Sequence, residues 1–318
     1  MNMKAINYIS ILAAAVVSLA CSKEQVPETG YSVNEFAQSG QATARGRYSV
    51  FYADLDSSGD SQSKVYIDGN FKTRWNAGDL ISIFQTTANE CFAFQGADGD
   101  RSGSFAVPES NNYGTGADAG EEIDAIYAVY PYNQGTGIDN GSLRISFPAT
   151  QGYKPDSYGP GANIMACRTS DERLKFKNVG GYLVIKLYGD GVSVKSVAIT
   201  SNGGEVLSGQ AVVTFDGNSV PEATLSQGTG TVSVVCDNPV TIGTSSTDYT
   251  AFWFVLPPVT FSEGFTVTVT GSNGKTCEKV TTKQRTVARN DIVNMAPFEV
   301  VLPANQIGDG QEQDGGDY

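Results

Sequence analysis

FTVTVTG, residues 265–271, sets an apolar side chain at every second position: Phe265, Val267 and Val269 on one face, Thr266, Thr268 and Thr270 on the other. Successive strand residues point to opposite faces, so this stretch is a strand half buried against a core. LRISF repeats the pattern with Leu143, Ile145 and Phe147. YLVIKLYG (182–189) and YTAFWFVLPP (249–258) are apolar almost throughout and suit strands covered on both faces. Beyond Cys21 no window of helical length carries an apolar stripe of 3.6-residue period. Turn signals punctuate these runs: DGN at 68–70, ADGDRSG at 97–103, SNGGE at 201–205, DGN at 216–218 and GSNGK at 271–275. The chain is expected to be all-β, with the turn spacing of a sandwich or barrel.

At 318 residues the chain is long enough for two cores. RTSDER (168–173) is the most charged connector in its middle, and the strand pattern restarts after it. The expected organisation is one β-domain over 47–172 and a second over 173–303. Residues 21–46 read as a polar tether with one weak strand near Tyr31–Phe36, and 304–318 as an acidic, glycine-rich tail that cannot bury enough apolar surface to fold. With 34 acidic against 21 basic residues the net charge is −13, which repels phosphate backbones and anionic headgroups, so no nucleic-acid partner is expected. The absence of histidine excludes Ser-His-Asp and Cys-His catalysis and every imidazole metal site. The chain is not expected to be an enzyme, and no catalytic residue, metal or cofactor is assigned.

ILAAAVVSLACSKEQ (11–25) ends an apolar run on a single cysteine. The run from Ile6 to Ala20, preceded by Lys4, is shorter than the roughly 20 residues of a spanning helix and reads as a secretory signal over 1–20. Small residues Ser18 and Ala20 flank Leu19, and V-S-L-A-C resembles the lipobox of bacterial lipoproteins. That resemblance implies that Cys21 is the first mature residue and carries acyl chains into the outer membrane; the other reading is an ordinary signal with an accidental cysteine. Cys91, Cys167, Cys236 and Cys277 form no C-x-x-C pair. Cys236 shares strand parity with Val232 and Val234 and is expected as a buried free thiol, with a Cys236–Cys277 bridge as the alternative.

Four stretches in order carry a further resemblance. TRWNAGDLISIF (73–84), AIYAVYPYNQ (125–134), ISFPATQGY (145–153) and the run LKFKNVGGYLVIKLYG with VKSVAITSNGGEVLSGQAVVTF (174–215) are similar to fimbrillin-like, or Mfa-like, lipoproteins of the type V pilin superfamily. Read from the residues alone, Trp75 anchors a core, Gly78 and Asp79 make a turn, and Leu80, Ile81, Ile83 and Phe84 enter the core. Pro131, which cannot donate to a ladder, ends the pairing of its strand or puts it at an edge.

The resemblance implies two tandem transthyretin-like β-sandwich domains after a lipoprotein signal peptide, working as a structural or accessory subunit of a surface fimbria. It implies partners among other fimbrial subunits or further copies of the chain, and a host protein or glycan. Assembly would follow a cut after an arginine of the leader, Arg45 or Arg47, and insertion of a strand from the next subunit. NMAPFEVVLP (294–303), with Phe298, Val300 and Leu302 alternating, is expected as a donor strand or as the closing strand of the second domain.

Weaker signals compete. DLDSSGD (54–60) spaces Asp54, Asp56, Ser58 and Asp60 like a calcium loop, but the twelfth position is Val65 where a bidentate glutamate is required. Adjacent strand residues Glu121 and Glu122 point apart and read as surface charge. The tyrosines of GYKPDSYGPGAN (152–163) could form a sugar-stacking platform, the basis of an alternative reading as a free-standing glycan-binding lipoprotein.

Overall fold

The computed structural model describes residues 47–54, 74–109 and 120–303. The signal run, Cys21, Arg45, the weak strand at 31–36, the calcium-like loop beyond Asp54 and the tail at 304–318 lie outside the described residues. Strands and turns make up what is described, with no α-helix among them.

The first strands are β1 (Val50–Asp54), β2 (Leu80–Thr86), β3 (Glu90–Phe94), β4 (Ser102–Ala106) and β5 (Glu122–Tyr130). Then come β6 (Gly137–Asp139), β7 (Ser142–Phe147), β8 (Thr150–Lys154), β9 (Ser157–Tyr158), β10 (Met165–Thr169), β11 (Arg173–Lys175) and β12 (Lys177–Asn178). The next are β13 (Gly181–Tyr188), β14 (Ser193–Ser201), β15 (Ser208–Phe215), β16 (Pro221–Thr229), β17 (Thr231–Thr241) and β18 (Thr250–Leu256). The last are β19 (Val259–Phe261), β20 (Phe265–Gly271), β21 (Thr276–Thr281), β22 (Arg285–Val287), β23 (Ile292–Asn294) and β24 (Phe298–Glu299).

The first sheet runs β11-β1-β4-β3-β2-β5-β10-β12. Its two outermost strands are separated in sequence by Phe176 alone, so the sheet curls until its ends meet. Inside the curl Phe51, Trp75, Ile81, Ile83, Phe92, Phe94, Phe105, Tyr130 and Phe176 form one core. Outside it, a sheet ordered β16-β15-β7-β6 packs against the opposite face, where Phe84, Tyr127 and Val129 meet Leu143, Ile145, Phe147, Ala211 and Val213. Period-two alternation explains why Ile83 and Phe84, though consecutive, are both fully buried: they enter different cores. Leu80, expected in the core with them, is half-buried.

The second sandwich packs β18-β13-β23, with β24 also on β13, against β21-β20-β14-β17-β8-β9. Phe265, Val267 and Val269 face its core with Leu183, Ile185, Leu187, Phe252 and Phe254. The other faces of β13 and β18 are covered as well: Tyr182, Val184, Trp253 and Val255 pack beneath Tyr158 and Ala162. Both apolar runs are therefore two-sided strands, as their composition requires.

The pairing crosses the boundary drawn at 172/173. β11 and β12, beyond that point, complete the first sheet, while β7 pairs with β15 and β8 runs parallel to β17. The charged connector is an exposed turn within the first sheet, in which Arg168 pairs with Asp124 at 3.1 Å and Thr169 accepts a hydrogen bond from the Asp171 amide. The described residues fall in one compact unit.

Candidate functional site

Sheet edges, and the places where the chain enters and leaves the sheets, are where unpaired backbone groups can meet another chain. At the entry, Arg47 Nη1 lies 3.2 Å from Glu90 Oε1, and both side chains are mostly buried, at 17% and 13% exposure. Gln85 clamps the next residue: its Oε1 accepts from Tyr48 N at 2.7 Å and its Nε2 donates to Tyr48 O at 2.9 Å. Gln85 Nε2 also donates to Glu90 Oε2 at 3.2 Å. A side-chain amide thus stands in for a strand residue, and Arg47 is held against the body rather than offered to solvent. No local signal in the sequence marks Gln85 or Glu90 for this role, since they lie 37 and 43 residues from their partners.

Residues from three of the four quoted motifs meet in one cluster. Trp75 is fully buried, with ring centroids 5.1 Å from Phe105, 5.5 Å from Tyr130, 5.7 Å from Phe176 and 5.8 Å from Phe94. Its indole N–H has no hydrogen-bond partner among the described residues, so packing holds the ring, while its backbone donates to Asp100 O and accepts from Gly99 N, each at 2.8 Å. Gly78, at φ +76°, supplies the left-handed residue of the turn that a Cβ would strain. Asp79 accepts from Asn76 N at 2.8 Å and from the Tyr130 hydroxyl at 3.4 Å. Burial raises its pKa, partly offset by those hydrogen bonds. Tyr130 ends β5, and the Tyr130–Pro131 peptide is cis.

The remaining motif contributes Gln151, which is 3% exposed in β8. Its Nε2 donates to Val255 O at 2.7 Å and its Oε1 accepts from Val255 N at 3.0 Å. This is the same device as Gln85, applied to the outer edge of β18. Tyr153 packs 4.9 Å from Phe252, and Tyr158, 1% exposed, stacks 5.4 Å from Tyr182. Tyr158 is a core residue and Tyr153, half-buried, packs against the second core, so the pair does not stand out as an exposed platform; local sequence does not separate a loop tyrosine from a core one.

At the exit, Phe298–Glu299 pairs in parallel with Leu187–Tyr188, and Val300 N donates to Tyr188 O at 2.8 Å. Val300 is 1% exposed, Phe298 and Leu302 are half-buried on the same core, and Val301 is 69% exposed. The three alternating residues therefore sit on their own chain's sheet. A cleft of about 410 Å³ lies beside them, bounded by Asp190–Ser193, Ser272–Asn273 and Glu299–Pro303.

All four described cysteines are free. A Cys236–Cys277 bridge is excluded by topology: β17 and β21 are separated by β14 and β20, three strand spacings or about 14 Å, beyond the ~7 Å that a disulfide tolerates. Cys236 is buried with Val232 and Val234. Glu121 and Glu122 are both exposed. Among the described residues no three carboxylates or thiols are placed to hold a metal ion.

No family model matches the chain, and no curated protein matches it. Solved structures similar to it include a candidate cell adhesion protein of Bacteroides uniformis, at 17% identity over 80% of this chain and 94% of that one, with a TM-score of 0.40. Another, from Bacteroides ovatus, is 14% identical over 79% of this chain and 91% of that one, with a TM-score of 0.45. A fimbrial protein of Bacteroides ovatus is 15% identical over 72% of this chain and 46% of that one, with a TM-score of 0.25.

Proposed function

We propose that the protein is a lipid-anchored surface protein of fimbrial or adhesive type, held in the outer membrane through acylated Cys21 and acting through β-strand contacts with other subunits or with copies of itself. The observation that carries this reading is the convergence of three of the four fimbrillin-like motifs on one structural unit: Trp75 packs on Tyr130 and Phe176, and Tyr130 donates to Asp79. Motifs that share order and spacing in the sequence share a core in space, as a fold signature does. A net charge of −13 disfavours membrane attachment through a basic surface, which supports attachment through acyl chains.

Maturation would remove the leader by a cut after arginine. A trypsin-like protease needs the arginine side chain free and several flanking residues extended, and Arg47 offers neither, being paired to Glu90 and followed by the clamped Tyr48. The scissile bond is therefore Arg45–Gly46. Assembly then proceeds by donor-strand exchange, in which an incoming strand satisfies unpaired backbone groups and fills an apolar groove at once.

Limited trypsin treatment of the purified full chain tests this. Loss of the leader up to Arg45, followed by a ladder of oligomers stable in sodium dodecyl sulfate, is expected. A cut after Arg47 would overturn the choice of bond, and monomeric cleaved protein that binds glycans on an array would favour the alternative role.

A further inference from the structure

Asparagine followed by glycine is the pair that most readily loses its side-chain amide, because glycine has no side chain to shield the attacking nitrogen. The pair occurs three times in the chain, at 140–141, 202–203 and 273–274. All three asparagines are exposed, so exposure does not rank them. Reaction requires the asparagine Cα–C bond to rotate until the glycine nitrogen meets the side-chain carbonyl carbon. The rate therefore follows how many contacts a turn must release in order to open.

Asn202 is held firmly. Its Nδ2 donates to Glu263 O at 3.2 Å and to Thr281 O at 3.0 Å, its Oδ1 accepts from Thr266 Oγ1 at 2.8 Å, and its backbone N donates to Gly264 O at 3.1 Å. At Asn273 the nucleophile is engaged: Gly274 N donates to Gly271 O at 3.0 Å, and Asn273 Oδ1 accepts from Lys275 N at 3.0 Å. Asn140 has neither restraint. Its Nδ2 donates to Oδ1 of the exposed Asp139 at 3.0 Å, and among the described residues no turn hydrogen bond uses the Gly141 N–H. At φ +48° and +72°, Asn140 and Gly141 are both left-handed and close the two-residue hairpin between β6 and β7. β6 is three residues long and ends its sheet, so few ladder bonds oppose the opening.

We propose that Asn140–Gly141 is a site of spontaneous deamidation in the folded protein, which Asn202 and Asn273 resist. The Gly141 nitrogen, having given its proton to solvent base, bonds to Asn140 Cγ; the side-chain nitrogen takes up a proton and leaves as ammonia, closing a five-membered imide. Water then opens the ring. Cleavage at the side-chain carbonyl leaves aspartate at position 140, and cleavage at the main-chain carbonyl leaves isoaspartate. Either product adds one negative charge. Isoaspartate also lengthens the main chain of a two-residue turn by one carbon, which shifts β6 and its buried Ile138 against Leu143 of β7. The product accumulates with the age of the folded chain. The inference goes beyond the assembly reading and does not rest on it.

The test incubates the purified full chain at neutral and mildly alkaline pH and stops the reaction by digestion in acid. Peptide mass spectrometry counts deamidated peptides, and electron-transfer fragmentation separates isoaspartate from aspartate. With each hydrogen bond to be broken slowing the reaction about fivefold, position 140 should react at least about tenfold faster than 202, and faster than 273. The rate should rise with pH, and in urea the three sites should react at similar rates. Thr266→Val, which removes the hydroxyl that holds Asn202, should speed reaction at 202 and leave 140 unchanged. Reaction at 202 or 273 as fast as at 140 in the folded chain, or a Thr266→Val variant with 202 still unchanged, would overturn the proposal.

Discussion

Replacing Gln151 by Ala removes a side chain that does the work of a β-strand residue. Gln151 is 3% exposed, and its amide makes two hydrogen bonds to Val255, at 2.7 and 3.0 Å. Truncation leaves the Val255 N–H and C=O buried without partners, each costing about 1–3 kcal/mol, so Gln151→Ala is expected to lose roughly 2–6 kcal/mol. Urea unfolding followed by far-ultraviolet circular dichroism reads this as a fall in midpoint of about 1–3 M at a slope near 2 kcal/mol/M. Thr150→Ala, on the exposed neighbour, is the control and should stay within about 0.5 kcal/mol.

Gln151→Glu adds a signature that a packing defect cannot imitate. Ionised, the carboxylate accepts from Val255 N but faces Val255 O without a donor; protonated, it restores both bonds. Burial raises its folded pKa above the unfolded value of about 4.3. The stability so contributed is complete below about pH 4.3 and is lost as pH rises through the folded pKa, so this variant should gain on the wild type as the pH is lowered from 7 to 4. A loss below 1 kcal/mol for Gln151→Ala, or a Gln151→Glu deficit that does not change with pH, would refute the clamp.

Three further outcomes are expected. Trp75→Ala, at a fully buried position among four aromatic rings, should cost about 3–5 kcal/mol in the same urea experiment. Glu205 accepts from the Ser201 hydroxyl and from the Ser262 hydroxyl and amide, which lower its carboxyl to about 2. Its stabilising effect is therefore complete above about pH 4.5 and lost as pH falls toward 2, and acid unfolding of Glu205→Gln should lack that component. Under native conditions iodoacetamide should label Cys277 first by peptide mass spectrometry, because Cys91, Cys167 and Cys236 are buried and burial raises their thiols to about 11, 12 and 11.

What could be read from the sequence was whatever is local. Alternation identified the core faces of Phe265–Gly271 and of Leu143–Phe147, continuous apolarity identified β13 and β18 as two-sided, and Pro131 marked the end of β5. Partner choice was not local. Nothing within Ser142–Lys154 states that β7 joins β15 or that β8 joins β17, because strands report their own burial and not their neighbour. A boundary drawn at the charged connector therefore fell inside a sheet. The candidate site divides along the same line. Trp75, Gly78 and Asp79 were visible as a turn with an anchor, whereas the Arg47–Glu90 pair and both glutamine clamps join residues tens of positions apart. A glutamine in a strand reads as a solvent-facing residue until the edge it caps is known.

Mass spectrometry of the protein taken from outer membranes tests the central claim most directly. The account predicts two N-termini, a diacyl- or triacylated Cys21 before maturation and Gly46 after it. A chain that retains residues 1–20, or one whose Cys21 carries no acyl group while the protein remains soluble in the cytosol, would contradict it.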